Sequence, residues 1–169
     1  MRNIIATITL ALVTSFCAQA EITEQSSKSF TIKHSFISNK SVSTAKHEFG
    51  HVGRWWTSEF TQSGKGRNMF FNGQGMHENM PNGKTITHLT KIEKENKKWV
   101  WTGALGKLKN EDIDAKMKIS ITNNHHGSKV SMEYSVKGDL LADNKAWSTY
   151  TDNMLEAQMK SLKNSLKKR

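Results

Sequence analysis

The segment KHEFGHVGRWW contains His47, Glu48 and His51, which match the H-E-x-x-H pattern of zinc metalloproteases. On a helix, the two histidines lie one turn apart on the same face, where they can share a zinc ion while the glutamate activates its bound water. A catalytic zinc site also needs a third protein ligand. A metzincin would have glycine at position 54 and histidine at 57, but the sequence has Arg54 and Thr57. The motif alone therefore predicts an incomplete metal site.

The first twenty residues have the composition of a secretory signal peptide. Arg2 is followed by an apolar run over residues 4–13 and by a small-x-small ending at Ala20. We therefore expect residues 1–20 to be cleaved and the mature protein to be periplasmic or secreted. Cys17 is the only cysteine of the chain and leaves with this segment, so no disulfide is expected in the mature protein.

Residues 21–169 have the length and uniform composition of one domain, with a single proline and no linker-like stretch. The chain carries a formal net charge of +10. A basic surface of this size attracts anionic lipids, polyanions or nucleic acid. Nucleic acid is not expected as a partner, because an exported protein is separated from the nucleic acid of the cell. The sequence also has no nucleic-acid recognition motif beside its basic residues. The oligomeric state does not follow from the sequence.

The C-terminal segment KSLKNSLKKR, residues 160–169, raises a separate hypothesis of peripheral contact with an anionic membrane. The alternative is a solvated helix end. Lysines near a helix C-terminus complement the helix dipole, so stability alone explains some of them.

The hydrophobic pattern predicts an α+β fold. Alternation over residues 30–36 predicts a first strand, and residues 117–121 and 130–136 predict a hairpin across the turn NNHHG. Ser41 or Ser43 can cap a short helix that follows the first strand. Apolar residues recurring every three or four positions from 147 to 166 predict a long C-terminal helix. We expect a curved antiparallel sheet of about six to seven strands wrapped over this helix, with short helices after the first strand.

Two sequence blocks resemble a known superfamily. EFGHVGRWWTSEFTQSGKGRN at 48–68 and GALGKLK at 103–109, followed by Trp147 and the terminal helix, are similar to the SRPBCC superfamily of START-like helix-grip proteins. Within it, the blocks look like the branch named after the activator of the ninety-kilodalton heat-shock ATPase. That branch commonly has aspartate where Lys65 stands and proline where Lys107 stands.

The resemblance implies a helix-grip fold with an apolar cavity between the sheet and the C-terminal helix. Members bind lipids, sterols, polyketides or other hydrophobic molecules, and some catalyse cyclisation. The heat-shock partner is not expected for an exported protein. The positions matching His47 and His51 are not zinc ligands in the family, so no metal or other cofactor is expected.

Large aromatic and methionine side chains are the candidates for lining such a cavity, although ordinary core packing is the alternative for each. The candidates are Trp55, Trp56, Met69, Phe71, Met76, Trp99, Trp101, Met117, Met132, Tyr134, Trp147 and Met154. His77 and Glu78 can orient a ligand, but the sequence pattern favours exposed strand residues there. No nucleophile or acid pair stands out.

The resulting prediction is periplasmic binding of a small hydrophobic or lipid-like ligand, without catalysis. The alternatives are a cyclase-like enzyme that uses the same cavity, a zinc hydrolase built on His47, Glu48 and His51, and a membrane-surface protein.

Overall fold

The computed structural model describes residues 19–26, 28–95, 98–138 and 143–168. The strands in these residues are β1 Gln19–Gln25, β2 Ser29–Ser38, β3 Met69–Phe71, β4 Gly75–Asn79, β5 Thr85–Glu95, β6 Lys98–Thr102, β7 Asp114–Asn124 and β8 Gly127–Lys137. The α-helices are α1 Val42–Gly50 and α2 Asn144–Lys167. Short 3₁₀ turns lie at Val52–Arg54, Ser58–Phe60, Gly66–Asn68 and Gly106–Asn110.

The strands form one antiparallel sheet in the order β1-β2-β8-β7-β6-β5-β4-β3. The predicted hairpin is confirmed, because Met117 pairs with Tyr134 and Ile121 pairs with Val130 across β7 and β8. A tight turn joins β4 and β5, with the Met80 amide donating to the Lys84 carbonyl at 2.8 Å.

The predicted fold class is confirmed: a curved antiparallel sheet packs against a long C-terminal helix, and short helices follow β2. The sheet has eight strands in the described residues, because β1 adds an outer strand next to β2. That strand begins at Gln19, within the predicted signal peptide, whose residues 1–18 lie outside the described part. Cleavage after Ala20 stays a prediction.

One face of the sheet and one face of α2 form the core. In β2, β7 and β8 every second residue is buried, as expected for strands with one covered face. The buried stripe of α2 includes Met154, Leu155, Leu162 and Leu166, each at most 1% exposed. His34 of β2 lies beneath the helix, with its Nε2 2.8 Å from Asp152 Oδ1.

Helix α1 covers another part of the same face. Ser41 is its N-cap, since its hydroxyl accepts from the Thr44 amide at 3.1 Å, which confirms one of the two predicted caps. Ala45 and Phe49 face the core. The chain then turns through Val52–Arg54 and buries Trp55.

The burial of α2 predicts the cost of truncating its apolar face. We expect Leu162→Ala to lower the free energy of unfolding by about 2–5 kcal/mol, because the lost side chain leaves a cavity against the sheet. Urea denaturation of the mature protein measures this change. Asn164→Ala, at an exposed position of the same helix, is the matched control and should shift stability by less than about 0.5 kcal/mol. Equal effects of the two substitutions would contradict the packing of α2 on the sheet.

Candidate functional site

The structure brings all twelve predicted cavity residues to one apolar cluster on the face of the sheet that α1 and α2 cover. Nine of them are at most 6% exposed: Trp55, Trp56, Met69, Met76, Trp101, Met117, Met132, Tyr134 and Met154. Phe71, Trp99 and Trp147 are partly buried and pack against this cluster. Their side chains therefore occupy the concave side of the sheet, and their contact with a ligand remains a prediction.

Two buried aromatic residues, Trp55 and Tyr134, have their polar atoms satisfied within the protein. Trp55 donates its indole N–H to the carbonyls of Glu48 and Phe49, both at 3.2 Å. The Tyr134 hydroxyl donates to the Gly103 carbonyl at 3.0 Å and accepts from the Leu105 amide at 3.1 Å. Burial raises the pKa of Tyr134, so this phenol stays protonated. These groups hold loops in place and do not present free polar atoms to a ligand.

A cavity of about 340 Å³ lies at the edge of this cluster, where α2, the Ser58–Phe60 turn and the Gly106–Asn110 turn meet. We call it the mouth cavity. It is lined by Glu59, Phe60, Thr61, Gln62, Gly106, Lys107, Asn110 and Tyr150. Its volume lies at the lower end of the range typical of small-molecule sites.

Tyr150 of α2 forms the inner wall of the mouth cavity. Its ring meets Phe60 edge-on, with centroids 6.0 Å apart, and its hydroxyl accepts from the Lys107 amide at 3.1 Å. Gly106 has a φ of +55°, and a Cβ there would overlap the Tyr150 hydroxyl and lie 3.3 Å from Met154 Sδ. Met154, one of the predicted ligand residues, thus lies directly under the cavity wall.

The residues of the mouth cavity were missed by sequence reasoning. They come from three separate segments. Six of the eight lie in the two blocks that resemble the helix-grip proteins, residues 48–68 and 103–109, but nothing in those blocks marked them as lining a cavity. Tyr150 lies in the periodic stretch 147–166, which predicted a helix and no site.

A second depression, of about 440 Å³, lies on the outer face of the sheet. It is bordered by strand residues that include Thr31, Lys116 and Ser135, and by Ile92, which is 51% exposed. Only one sheet surface bounds it, whereas the mouth cavity is enclosed by a helix and two turns. The mouth cavity is therefore the better candidate site.

A buried carboxylate holds the wall of the mouth cavity. Glu78 is 0% exposed, and its two oxygens accept from the amides of Gln62, at 3.1 Å, and Ser63, at 2.6 Å. His88 lies on its other side, with Nε2 2.8 Å from Oε2. Burial raises the pKa of Glu78, but the hydrogen bonds from Ser63, Gln62 and His88 outweigh it and lower the pKa overall. The carboxylate is therefore charged at neutral pH.

His88 is neutral in the folded protein. Burial lowers the pKa of His88 more than the neighbouring Glu78 raises it, and Lys109 lowers it further. Its Nε2 carries the proton and donates to Glu78, since an ionised carboxylate is only an acceptor. Its Nδ1 is buried and has no hydrogen-bond partner among the described residues.

The favoured interpretation of His77 and Glu78 as exposed strand residues is wrong. His77 is 8% exposed, with Nδ1 3.0 Å from Thr87 Oγ1 and Nε2 2.9 Å from Asn72 Oδ1. Both side chains are buried because two loops fold over this edge of the sheet. The loop after β3 carries Asn72, and the loop before Gly66 carries Gln62 and Ser63. Their partners identify them as structural supports of those loops.

The H-E-x-x-H segment does not assemble the site that its pattern suggests. The ring centroids of His47 and His51 are 4.5 Å apart on the surface. However, Nδ1 of His51 donates a hydrogen bond to the His47 carbonyl oxygen, at 2.8 Å. Glu48 is 2% exposed and faces the core, 3.8 Å from Arg54. Among the residues that the structure describes, no group of three His, Cys, Asp or Glu side chains is placed to hold a metal ion.

Comparison with known proteins supports the fold. No family model matches the sequence, and no curated protein matches it. Norcoclaurine synthase from Thalictrum flavum is similar in structure, with a TM-score of 0.57, 10% identity and 100% of both chains covered. A Rhodobacter sphaeroides protein has a TM-score of 0.57 and 10% identity over 89% of this chain and 100% of its own.

The di-domain ARO/CYC protein StfQ, from the steffimycin biosynthetic pathway, matches with a TM-score of 0.56 and 12% identity. The match covers 85% of this chain and 52% of StfQ, so this chain spans about half of that protein. At these identities the likeness concerns the fold alone. These neighbours are helix-grip proteins, as the sequence resemblance implied.

The role of Glu78 predicts the effect of removing its charge. We expect Glu78→Gln to lower the free energy of unfolding by about 1–3 kcal/mol, because the amide cannot accept from both Gln62 and Ser63 while meeting His88. It should also speed hydrogen exchange of those two amides. Denaturation and exchange measured by NMR test both effects.

Glu133→Gln is the matched control, since Glu133 pairs with Lys118 at 3.5 Å on the partly exposed outer face. A pair of this kind contributes at most about 1 kcal/mol. If Glu78→Gln leaves the exchange of Gln62 and Ser63 unchanged, the buried carboxylate does not hold the loop.

The lowered pKa of His88 predicts a pH dependence of stability. Below its ordinary pKa of 6.5 the unfolded chain binds a proton that the folded His88 does not, so stability falls as the pH drops. The loss ends at the lower folded pKa. We expect His88→Gln to reduce the slope of the unfolding free energy between about pH 7 and pH 5.

Urea denaturation at several pH values measures that slope. His126→Gln, at the exposed hairpin tip, is the control and should retain the wild-type slope. If His88→Gln has the same slope as the wild type, the pKa of His88 does not differ between the folded and unfolded protein, and the prediction is wrong.

Proposed function

We propose that this protein binds a small hydrophobic or lipid-like ligand between the sheet and α2, entering through the mouth cavity, and catalyses no reaction. The observation that supports this most directly is the position of the mouth cavity. It opens between α2 and two turns, with Tyr150 as its wall and Met154 beneath. Norcoclaurine synthase and the ARO/CYC protein StfQ of the steffimycin biosynthetic pathway, whose names refer to small organic molecules, have a fold similar to that of this protein.

The chemistry of the interior favours an apolar ligand. Six buried methionines belong to the cluster behind the mouth cavity: Met69, Met76, Met117, Met132, Met154 and Met159. Unbranched thioether side chains repack at low cost, so this interior can admit an apolar group by moving side chains. The entrance is mixed, with Glu59, Gln62 and Lys107 beside Phe60 and Tyr150. This composition suits a ligand with an apolar body and a polar end.

The proposal includes an exported location and a position within the helix-grip proteins. The signal-like N-terminal segment supports periplasmic or secreted binding. The blocks at 48–68 and 103–109 support a relationship to the branch named after the activator of the ninety-kilodalton heat-shock ATPase.

A cavity-based enzyme is the second candidate function. The mouth cavity brings together Glu59, Lys107 and Tyr150, which are groups able to transfer protons. Lys107 Nζ lies 5.8 Å from the centroid of the Tyr150 ring. A cyclase-like reaction needs such acid and base groups next to an apolar space. The enzyme function therefore uses the same site as the binding function, and differs in that the bound ligand is converted to a product.

Blocking the mouth cavity tests ligand binding. We expect Gln62→Trp to weaken binding of the fluorescent probe 1-anilinonaphthalene-8-sulfonate at least about tenfold, because the indole fills the entrance. The Gln62 side chain is exposed, so the fold should be unaffected. Fluorescence titration gives the affinity, and native mass spectrometry of protein purified from its producing cells detects any retained lipid-range adduct.

Asn164→Trp, at an exposed position of α2 about 21 Å from Tyr150 along the helix axis, is the matched control and should bind the probe like the wild type. Near-ultraviolet circular dichroism checks that both variants are folded. Equal probe affinity in both variants, with no adduct on the wild-type protein, would overturn the proposed entrance.

A further inference from the structure

Lysines gather where α2 ends. Lys160, Lys163, Lys167 and Lys168 occupy its last turns, and the last acidic residue of the helix is Glu156. Lys163 reaches back towards β2, with Nζ 6.0 Å from the centroid of the Phe36 ring. The end of α2 therefore lies beside the last residues of β2.

The β7–β8 hairpin brings further basic residues to the same place. Ser38, the last residue of β2, pairs with Ser128 at the start of β8. A Cβ on Gly127 would lie 2.8 Å from the Lys40 carbonyl oxygen, so the hairpin tip contacts the chain around Lys40. We call this surface the basic end. It comprises Lys40, His125, His126, Lys160, Lys163, Lys167 and Lys168.

The other end of the molecule has mixed charge. Strand β7 begins there with Asp114, which pairs with Lys137, and α2 begins there after Asp143. Glu111 and Asp112 precede β7, with Lys109 close by in the chain. The segments that form the basic end, residues 38–41, 124–128 and 157–168, contain no Asp or Glu, whereas the other end carries both signs of charge.

We propose that the basic end docks the protein on the surface of an anionic lipid bilayer. Clustered lysines are attracted to anionic headgroups. Leu162 and Leu166, the apolar residues of the last turns, are at most 1% exposed because they face the sheet, so the helix cannot insert into the bilayer. None of the described helices is long and apolar enough to span one. Contact is therefore electrostatic and confined to the headgroups.

A membrane fits this surface better than nucleic acid does. Phe36, the aromatic ring next to Lys163, is 4% exposed, so bases cannot stack on it, and stacking supports much of single-strand binding. The surface is formed by a helix end and a hairpin tip, which suits a broad planar partner.

Docking through the basic end sets the orientation of the mouth cavity. Tyr150 lies seventeen residues before Lys167 on α2, which corresponds to about 26 Å along the helix axis. A docked protein therefore holds the mouth cavity away from the bilayer and open to the aqueous side. The docking proposal does not depend on the proposed ligand.

Flotation of the mature protein with vesicles tests the proposal. The probe vesicles are phosphatidylcholine with about 30% phosphatidylglycerol, compared with pure phosphatidylcholine, at about 0.1 M and 0.5 M salt. We expect binding only to the anionic vesicles and its loss at high salt, because the Debye length falls from about 10 Å at 0.1 M to about 4 Å at 0.5 M, which screens the lysines from the headgroups. Replacing Lys160, Lys163, Lys167 and Lys168 by glutamine should weaken vesicle binding at least about tenfold.

The matched control replaces four exposed lysines elsewhere, Lys65, Lys84, Lys91 and Lys116, by glutamine, which removes the same charge. It should float like the wild type. Equal losses in both variants, binding to pure phosphatidylcholine, or persistence at 0.5 M salt would overturn the proposal. Tighter binding to a single-stranded oligonucleotide than to the anionic vesicles at the same salt would also overturn it and indicate nucleic acid as the partner.

Discussion

The packing of α2 into the concave sheet is the interaction on which the other features depend. The helix buries a continuous stripe from Met154 to Leu166, and that stripe covers the inner faces of the strands. The helix also places Tyr150 against the turn at Gly106, which creates the mouth cavity, and carries its last lysines to the opposite end. One amphipathic helix thus fixes both candidate binding surfaces and the distance between them.

The Glu78 carboxylate is the second constraint, and it concerns the cavity wall. A buried charge is costly unless hydrogen bonds replace its hydration, and here two loop amides and His88 do so. The loop carrying Gln62 and Ser63 therefore has one well-defined position over the sheet. Because the donors are committed to Glu78, this pair stabilises the wall of the mouth cavity instead of offering a reactive group to a ligand.

Local pattern predicted the β7–β8 hairpin and α2, because strand alternation and helical periodicity are set by neighbouring residues. It did not predict the burial of Glu78, whose partners lie fifteen and sixteen positions away in a loop without periodicity. Residue type selected twelve cavity candidates, all of which lie in or against the apolar core, and their contact with a ligand stays a prediction. The mouth cavity itself depends on three segments that meet only in the folded chain, so no local signal marked it as a site, although Glu59 lies in the block 48–68 that resembles the helix-grip proteins.

The filled interior bears on how a ligand can enter. Met117, Met132 and Met154 are at most 2% exposed, so an apolar group that passes the mouth cavity must displace side chains that already pack well. Loss of those contacts costs free energy, which a ligand has to recover through its own burial. Methionine keeps that cost low, since its flexible side chain can adopt other rotamers without moving the backbone. Trp55, whose indole N–H is held by two backbone carbonyls, would remain in place, and binding would rearrange the methionines around it.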